Sequence, residues 1–401
     1  MKKHFNKGII VFFAYMLIIG FGMCNYDMVR STAATFYHCI TERYSFVEMR
    51  DSLEDVFGGK KLTYHDELMN IYSLYLRCGG TTTVKKDKNT VVRLSNGQLA
   101  YTDKYVMDEE IEESTEKINE LYQYTKKSGI PYLYVACPKK GYSTDFPPGV
   151  ENNVASNCDR FYAALSASQI PTLIIQEKLN EEKIDEADTF YDTDHHWKAE
   201  IGFWATGKIL EDLQSRYGMS YNSYYTDISN YNLQHFEKWF LGSQGKKTGA
   251  YFTELGADDF TLITPKFKTS FVEEQPFKNE KRTGDFTQTL LFKEHIDKKD
   301  WYNKNPYATY SGGDFRLQIF SNKHADNDRK VLVIRDSFGC AVSPFLALQN
   351  KTTYLVDVRN YDYYVGEKPN IYELIDEIKP DCVLVIYEGV ATNAVGRLDF
   401  D

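Results

Sequence analysis

Two short segments, far apart in the sequence, carry the residue types that acyl transfer requires. The first is DTDHHW at 192–197, in which Asp194 stands two positions before His196. The second is VIRDSF at 333–338, which contains Ser337. A serine hydroxyl becomes a good nucleophile when an imidazole accepts its proton and a carboxylate holds that imidazole in the required tautomer. The three side chains are therefore candidates for one catalytic site.

The serine segment allows two interpretations. The apolar run Val331–Ile334 predicts a buried parallel strand that passes directly into a helix. Active sites of open α/β sheets lie at the carboxyl ends of strands, and the N–H groups at a helix start stabilise an oxyanion. Asp336 and Ser337 are, however, also preferred helix caps, so catalysis and capping both remain open for this segment.

The histidine segment also allows simpler interpretations. Asp194 is a suitable cap for a helix predicted at 195–216, and His195 can face solvent. Two histidines and an aspartate can bind Zn²⁺, but Glu200 falls on a different spacing from the His-Glu-x-x-His pattern. We therefore predict no metal and no cofactor.

The elements around these segments alternate between strand and helix, which predicts an α/β fold with a parallel sheet and helical crossovers. Residues 219–327 break the alternation with hairpin-like and loop-like sequence, so we predict a β-rich insertion there. The predicted strands are 131–138, 171–176, 331–334, 352–358 and 381–389, and the predicted helices are 107–127, 158–167, 178–184, 195–216, 341–349 and 369–378.

The start of the chain is typical of a membrane anchor. The basic segment MKKHFNK precedes residues 8–24, GIIVFFAYMLIIGFGMC, which carry no charge and reach the lower length limit for crossing a bilayer. Basic residues before such a span favour a cytoplasmic N-terminus. We predict a cytoplasmic tail at 1–7, a signal anchor at 8–24 in a single-pass cell-membrane protein, and an extracellular remainder. A cleaved signal peptide is the alternative.

We divide that remainder into a membrane-proximal α+β segment at 25–100 and a catalytic domain at 101–401. The net charge of −10 and the absence of a long basic run argue against a nucleic-acid partner. The seven cysteines form neither a metal pattern nor a dense disulfide framework, and pairing of Cys39 with Cys78 stays open.

Several segments together resemble the DHHW-motif proteins, a family within the SGNH-hydrolase-like group that includes the alginate O-acetyltransferases. The resemblance covers roughly residues 35–395 and implies a three-layer α/β fold with a parallel sheet and flanking helices. It also implies Ser337 as nucleophile, His196 as general base, Asp194 as its orienting partner and Trp197 as a packing residue beneath the site. The segments that carry it are DTDHHW, FLGSQGKKTGAYF (240–252), DDFTLITPKF (258–267), YSGGDF (310–315) and VIRDSF.

The resemblance implies an oxyanion-binding and substrate-binding set that departs from the family pattern. Asp314, after Gly312 and Gly313, stands where family members have an asparagine that can donate to an oxyanion. Three alternatives follow: a protonated Asp314, an oxyanion bound by the N–H groups of Gly313 and Ser337, or reduced activity. The set is completed by Arg335, which either binds an anionic group or pairs with a carboxylate, and by Lys139 and His195, which are expected to line the site.

These expectations favour an extracytoplasmic O-acetyltransferase that modifies a cell-surface or cell-wall polysaccharide through an acyl-Ser337 intermediate. A membrane-bound O-acyltransferase would supply the acyl group, and the N-terminal helix would keep the domain at the membrane. One alternative is a carbohydrate acetylesterase with the same triad. The other is a non-catalytic, membrane-anchored envelope protein, for which Asp314 is the strongest argument.

Overall fold

The chain divides into two compact units, residues 1–72 and 73–401. The structure, a computed structural model, describes residues 15–16, 18–23, 25–42, 44, 63–86, 89–390, 392 and 394–401. Among these residues, no helix combines the length and the apolar character that crossing a membrane requires. The tail predicted at 1–7 and most of the anchor predicted at 8–24 lie outside the described residues.

Helices and strands alternate along most of the second unit. The α-helices are α1 (Tyr26–Thr41), α2 (His65–Cys78), α3 (Asp108–Lys127), α4 (Val154–Ala167), α5 (Ile175–Glu182), α6 (Glu186–Thr189), α7 (Ala199–Tyr217), α8 (Ser243–Thr248), α9 (Phe286–Thr289), α10 (Ser343–Gln349) and α11 (Ile371–Ile378). The strands are β1 (Thr83–Lys86), β2 (Asn89–Arg93), β3 (Leu99–Tyr101), β4 (Tyr132–Cys137), β5 (Thr172–Ile174), β6 (Tyr231–Phe240), β7 (Asp258–Pro265), β8 (Phe271–Gln275), β9 (Glu280–Gly284), β10 (Leu317–Asn322), β11 (Lys330–Arg335), β12 (Thr352–Val356) and β13 (Cys382–Glu388).

The main sheet has eight strands in the order β5-β4-β13-β11-β12-β10-β8-β9. The first five run parallel, so the predicted α/β fold with a parallel sheet is confirmed for this part of the sheet. The strands β10, β8 and β9 continue the sheet in antiparallel pairing. Separate small sheets are formed by β1–β3 and by β6 with β7.

The range predicted as a β-rich insertion, 219–327, contains five strands, β6 to β10, but it is not separate from the main sheet. Three strands from this range, β8, β9 and β10, belong to the main sheet, while β6 and β7 form a ribbon of their own. The reason lies in the pattern: the burial of β8 and β10 alternates along each strand, as in an antiparallel strand covered on one face. Such alternation looks the same in an isolated hairpin and at the border of a large sheet.

The central strand β11 explains how the sheet is buried. Successive side chains of a strand point to opposite faces, so Val331 and Val333 join one apolar cluster and Leu332 and Ile334 join the other. The first cluster includes buried residues of α7 and α10, and the second includes buried residues of α4 and α11. Because both faces are covered, this strand is a continuous apolar run that ends directly at the serine segment.

Two expectations from the sequence change in the structure. The helix predicted at 195–216 begins only at Ala199 and ends at Tyr217, and the following Gly218 has a φ of 67°, which suits a glycine after a helix end. Asp194 therefore does not cap it, and DTDHHW is a loop before the helix. The six described cysteines, including Cys39 and Cys78, are free thiols.

Candidate active site

The serine turn lies at the carboxyl end of β11, where the chain enters a 3₁₀ turn at Ser337–Ala341. Asp336 caps this turn, because its Oδ1 accepts a hydrogen bond from the N–H of Phe338 at 3.0 Å. Its Oδ2 accepts from the N–H of Glu388 at the end of β13, at 2.9 Å. The capping role that the sequence left open thus falls to Asp336, and the half-buried Ser337 side chain is available for another contact.

The structure brings Ser337 and His196 together, although 141 positions separate them in the sequence. The Nε2 of His196 lies 2.7 Å from the Ser337 Oγ. The Nδ1 of the same ring lies 2.5 Å from the Oδ1 of Asp194. Since an ionised carboxylate only accepts hydrogen bonds, Nδ1 carries the proton and donates to Asp194, which leaves Nε2 to accept from the Ser337 hydroxyl.

Asp194 is fixed as an ionised carboxylate. Its side chain is buried and accepts hydrogen bonds from the backbone N–H groups of His196, at 3.0 Å, and Ser243, at 2.6 Å. Burial raises the pKa of Asp194, but the two neighbouring histidines and these hydrogen bonds outweigh it and hold the pKa well below its usual value. An ionised Asp194 is what the orienting role requires.

A buried lysine that the sequence analysis missed holds the backbone of the histidine loop. The ammonium group of Lys140 donates to the carbonyls of Tyr191, at 2.5 Å, Asp192, at 3.1 Å, and Asp194, at 2.9 Å. Burial lowers the pKa of Lys140 to about 8. Three carbonyls converging on one ammonium group fix the path of the chain that leads into His196.

Asp258, at the start of β7, holds the same loop from its other side and was also missed. Its carboxylate accepts from the backbone N–H of Asp192 and, at 2.9 Å, from that of Thr193. The Thr193 hydroxyl donates to it as well, at 2.5 Å. Burial raises the pKa of Asp258 to about 7. The DDFTLITPKF segment thus contributes a loop anchor to the site.

The segment FLGS brings the chain into close contact with Asp194 at Gly242. A Cβ on Gly242 would lie 2.2 Å from the Asp194 Cβ and 2.6 Å from its Cα. The Gly242 N–H donates to the Thr193 hydroxyl at 2.8 Å, and the next residue, Ser243, donates to the Asp194 carboxylate. Only glycine fits here, which gives the FLGSQG motif a specific role in the site.

His196 is also held by the residues that pack against its ring. It stacks on Tyr307 with ring centroids 4.1 Å apart and planes 16° from parallel. Fully buried Trp197 donates its indole N–H to the Tyr307 hydroxyl at 3.1 Å and to the Phe338 carbonyl at 3.2 Å. Trp197 therefore packs beneath the site and connects the histidine loop to the serine turn.

His195 lies beside the pair without contacting Ser337 in the described structure. Its ring is centred 3.9 Å from that of His196, and its Nδ1 lies 3.1 Å from the Ser243 hydroxyl. Burial and repulsion from His196 lower the pKa of His195 to about 4, so the ring is neutral near pH 7.

The side chains of Asp194, His195 and His196 place ligand atoms within 4.8 Å of one another, as a metal site would. Both ring nitrogens of His196 already have partners, Asp194 and Ser337. A metal bound at either nitrogen would have to replace one of these hydrogen bonds. The donor set therefore fits hydrogen bonding better than metal coordination, and the absence of a metal stays a prediction.

The segment YSGGDF lies against the serine turn. The Ser311 hydroxyl donates to the Cys340 carbonyl at 3.1 Å, and Gly312 and Gly313 have φ values of 75° and 97°, which suit glycine. A Cβ on Gly312 would lie 2.8 Å from the ring of Phe292. Within the described residues, the backbone N–H groups of Gly313 and Ser337 have no hydrogen-bond acceptor. These two groups are candidate donors to an oxyanion.

The Asp314 carboxylate forms ion pairs with two arginines. Its Oδ1 accepts from Arg335 at 2.8 Å, and its Oδ2 lies 3.0 Å from Arg359. Burial raises the pKa of Asp314, but the two guanidinium groups outweigh it and lower the pKa below its usual value. This disagrees with the alternative of a protonated Asp314. Of the two roles considered for Arg335, the structure has it paired with a carboxylate.

Lys139, which was expected to line the site, pairs with Asp103 at 2.7 Å. Burial lowers its pKa, but Glu388 and Asp103 more than compensate and raise it. Burial raises the pKa of Glu388, yet Lys139, Arg397 and the two site histidines bring it to about 2. Lys139 is therefore paired with Asp103, and the charge of Glu388, at the end of β13, helps to raise its pKa.

Comparisons with known proteins identify a similar sequence family and similar folds. Residues 97–212 match a family described as an SGNH hydrolase-like domain, acetyltransferase AlgX; the match includes DTDHHW and ends before the serine turn. The fold is similar to that of PatB1 from Bacillus cereus with a sulfonyl adduct, at a TM-score of 0.63 and 20% identity over 79% of this chain and 100% of that one.

A second similar fold is that of a DHHW family protein from Eubacterium siraeum, at a TM-score of 0.54 and 17% identity over 79% of this chain and 97% of that one. No curated protein has a significant sequence match. The predicted resemblance is confirmed: the chain has the fold of a DHHW family protein and carries, at 97–212, a match to the SGNH hydrolase-like domain of the AlgX acetyltransferases.

Proposed function

We propose that the chain is an O-acetyltransferase that forms an acyl intermediate on Ser337 and passes the acyl group to a polysaccharide hydroxyl. The observation that carries the proposal is the unbroken hydrogen-bond series from Asp194 through His196 to Ser337, at 2.5 Å and 2.7 Å. The description of the family that matches residues 97–212, an acetyltransferase, supports the same chemistry.

In the first half of the reaction, the Ser337 Oγ attacks the carbonyl carbon of the acyl donor while His196 Nε2 takes the hydroxyl proton. Ionised Asp194 stabilises the imidazolium that results. The N–H groups of Gly313 and Ser337 bind the oxyanion, where preorganised donors are most effective. When the tetrahedral intermediate collapses, the leaving oxygen takes the proton from His196, and the acyl group stays on Ser337.

In the second half, a sugar hydroxyl takes the place of the departed group. His196 Nε2 removes its proton as its oxygen attacks the acyl carbon, and the Ser337 Oγ leaves with that proton. The acyl group ends on the sugar, and the enzyme returns to its starting state.

The location and the partners belong to the same proposal. The basic segment MKKHFNK followed by the uncharged residues 8–24 supports a single-pass, extracytoplasmic protein. At the membrane, the domain would receive its acyl group from a membrane-bound O-acyltransferase and deliver it to a cell-surface or cell-wall polysaccharide. Protease protection of the C-terminal region in sealed, right-side-out cells would contradict this orientation.

A sulfonyl fluoride tests the nucleophile. The Ser337 Oγ forms a bond to sulfur, fluoride leaves, and His196 passes the serine proton to water. We expect intact-protein mass spectrometry to detect one added sulfonyl group, located by peptide mapping at Ser337. The Ser337→Ala and His196→Ala variants should not react, whereas Ser95→Ala, at an exposed serine, should react normally. Labelling that persists in the Ser337→Ala variant would contradict the proposal.

The carbohydrate acetylesterase remains the alternative because the same triad also transfers to water. The test uses 4-nitrophenyl acetate as the acyl donor. Transfer is supported if nitrophenol release is slow, accelerates when a glycan is added, and is accompanied by acetylated glycan in the mass spectrum. Fast release that no glycan changes supports hydrolysis. A non-catalytic envelope protein would show neither, and its Ser337→Ala variant would behave like the unchanged chain.

A further inference from the structure

A second series of hydrogen bonds runs beside the catalytic one and ends on His195. The Tyr101 hydroxyl, at the end of β3, donates to the Ser243 Oγ at 3.3 Å. The same Oγ lies 3.1 Å from the Nδ1 of His195. Ser243, the first residue of α8, also donates its backbone N–H to the Asp194 carboxylate at 2.6 Å. One residue therefore holds His195 through its side chain and Asp194 through its backbone.

This series leaves one nitrogen of His195 without a protein partner. The Nδ1 faces Ser243 and lies 3.6 Å from the Asp194 Oδ1. Within the part of the chain that the structure describes, the Nε2 has no hydrogen-bond partner, and it is accessible rather than buried. The His195 side chain is 29% exposed, against 10% for that of His196. Of the two histidines, His195 is thus the one that a molecule arriving from solvent meets first.

The His195 ring lies beside the reacting atoms. It is centred 3.9 Å from the ring of His196, whose Nε2 contacts the Ser337 Oγ at 2.7 Å. Tyr307 packs against His196 at 4.1 Å, and it makes no ring contact with His195 among the described residues. Tyr307 and His195 therefore lie on opposite faces of the base. A molecule whose oxygen lies at His196 Nε2 thus has His195 as its neighbour.

The chemistry of a neutral imidazole nitrogen suits a hydroxyl group. His195 is neutral near pH 7, because burial and repulsion from His196 lower its pKa to about 4, and its free nitrogen donates or accepts according to the tautomer. A hydroxyl does both, so it pairs with Nε2 in either tautomer, whereas a carbonyl oxygen pairs with only one of them. Sugars carry hydroxyls on neighbouring carbon atoms. While His196 deprotonates one of these, the next one along the ring can bind His195.

We propose that His195 is an acceptor-binding residue: its Nε2 forms a hydrogen bond with a hydroxyl on the carbon next to the one whose oxygen attacks the acyl group. The site then selects acceptors with two hydroxyls on adjacent carbons. No bond forms or breaks at His195, which orients the acceptor for His196 and Ser337. The inference rests on the proposed function, because an acceptor attacks only after Ser337 has been acylated.

Two small alcohols that differ by one hydroxyl test this preference. With 4-nitrophenyl acetate as the acyl donor, the full chain is given trans-1,2-cyclohexanediol or cyclohexanol at equal concentration, and mass spectrometry measures the acetylated alcohol. We expect the diol to be acetylated about tenfold faster, an effect of the size that one added hydrogen bond supplies. Rates within about twofold, which the number of hydroxyls alone explains, or transfer to neither alcohol while Ser337 is acylated, overturn the proposal.

Substitutions at His195 show whether its Nε2 makes the contact. His195→Phe keeps a ring without nitrogen, His195→Asn keeps a polar group near the position of Nδ1, and His195→Gln reaches the position of Nε2. We expect the preference for the diol to fall to about twofold in the first two variants and to be largely kept in His195→Gln. A weakened triad would slow both alcohols alike and leave their ratio unchanged, so the ratio separates binding from a merely structural role. A preference that survives in His195→Phe contradicts the assignment.

Two further variants test the series that orients the ring. Ser243→Ala removes the hydroxyl but keeps the backbone N–H that binds Asp194, so the preference should fall while the triad keeps its hydrogen bonds. His324→Phe, at an exposed histidine elsewhere, is the matched control and should keep the preference of the unchanged chain. A Ser243→Ala variant that behaves like this control would contradict the role of the series.

The sulfonyl fluoride separates failure of this inference from failure of the proposed function, since sulfonylation requires no acceptor. If Ser337 is sulfonylated but the diol has no advantage, His195 does not bind the acceptor and the proposed function stands. If Ser337 resists sulfonylation and neither alcohol is acetylated, the proposed function is wrong and this inference falls with it.

Discussion

The two sides of the candidate site are both held by buried charged groups, but in different ways. On the histidine side, Lys140 and Asp258 bind backbone carbonyl and N–H groups of the loop. On the serine side, Asp314 forms ion pairs with Arg335 and Arg359. On the histidine side the charges bind the loop directly. On the serine side they are also paired with one another, and Arg335 binds the Gly313 carbonyl as well.

This difference determines whether the buried groups on each side change their protonation near neutral pH. Burial lowers the pKa of Lys140 to about 8 and raises that of Asp258 to about 7, so both lie close to neutral pH. The pKa of Asp314, by contrast, is lowered because two arginines outweigh burial. Arginine remains charged at any ordinary pH. The serine side is therefore insensitive to pH near neutrality, whereas the histidine side is sensitive.

The largest effect is expected at Asp194, which orients His196 directly. In Asp194→Asn, the amide can donate to His196 Nδ1, which favours the tautomer that cannot accept the Ser337 proton. We expect kcat for 4-nitrophenyl acetate to fall about 10⁴-fold, as for the equivalent change in a serine-protease triad. Asp259→Asn, at an exposed neighbour of Asp258, is the control and should stay within twofold. A loss below tenfold at Asp194 would contradict the triad.

Asp314→Asn tests the serine side. It leaves Arg335 without its carboxylate partner, while Arg359 keeps Asp357. Breaking a buried ion pair from one side costs about 3 to 5 kcal/mol of unfolding free energy. Urea unfolding measures this loss. If Asp314 instead repels the oxyanion, the asparagine should raise kcat, and stability should change little; that result would contradict the structural role of the ion pairs.

Gly242→Ala should displace the loop that carries Asp194 and His196 without changing any charge. The added Cβ would overlap Asp194 and must move the loop, and a displacement of about 1 Å in a catalytic group costs roughly 10²-fold in rate. Gly207→Ala is a matched control inside α7, where the Cβ comes no closer than 3.7 Å to Thr226. That variant should keep its activity and gain about 0.5 to 1 kcal/mol of stability. If Gly242→Ala kept as much activity as Gly207→Ala, the close contact between Gly242 and Asp194 would be refuted.

The smallest effect is a pH dependence on the histidine side. The pKa of Asp258 is raised in the folded chain to about 7 from a usual value near 3.8, so its contribution to stability is full below pH 3.8 and is lost as the pH rises towards 7. We expect the unfolding free energy of the unchanged chain, minus that of Asp258→Asn, to fall between about pH 4 and pH 7. The same difference measured for Asp259→Asn should stay flat, and a rising difference for Asp258→Asn would have the wrong sign.

Local sequence was sufficient for the parts of the molecule that depend on neighbouring residues. Asp194 and His196 stand two positions apart, and the apolar run of β11 leads directly to Ser337, so motif chemistry and strand burial locate them. Lys140, Asp258 and Gly242 reach the same loop from 51, 65 and 49 positions away. No periodicity in the sequence reports such contacts, although the resemblance included the segments around Gly242 and Asp258.

The antiparallel border of the main sheet was missed for a related reason. Pairing of β10 with β12 and β8 depends on which hairpin docks at the sheet, and this information lies in packing rather than in the residues of β8 or β10 alone. The role of Arg335 was likewise open until the position of Asp314 was known. The sequence located the candidate residues, and the tertiary contacts show what holds them in place.

The stacking of His196 on Tyr307 has an electrostatic consequence. In the proposed reaction, the imidazole that takes the serine proton becomes a cation whose ring centroid lies 4.1 Å from that of an aromatic ring, within cation–π range. The negative face of the tyrosine ring then stabilises that cation, while Asp194 stabilises it at one nitrogen. A positive charge formed on His196 in the proposed transfer steps would thus meet an aromatic face that is already in place.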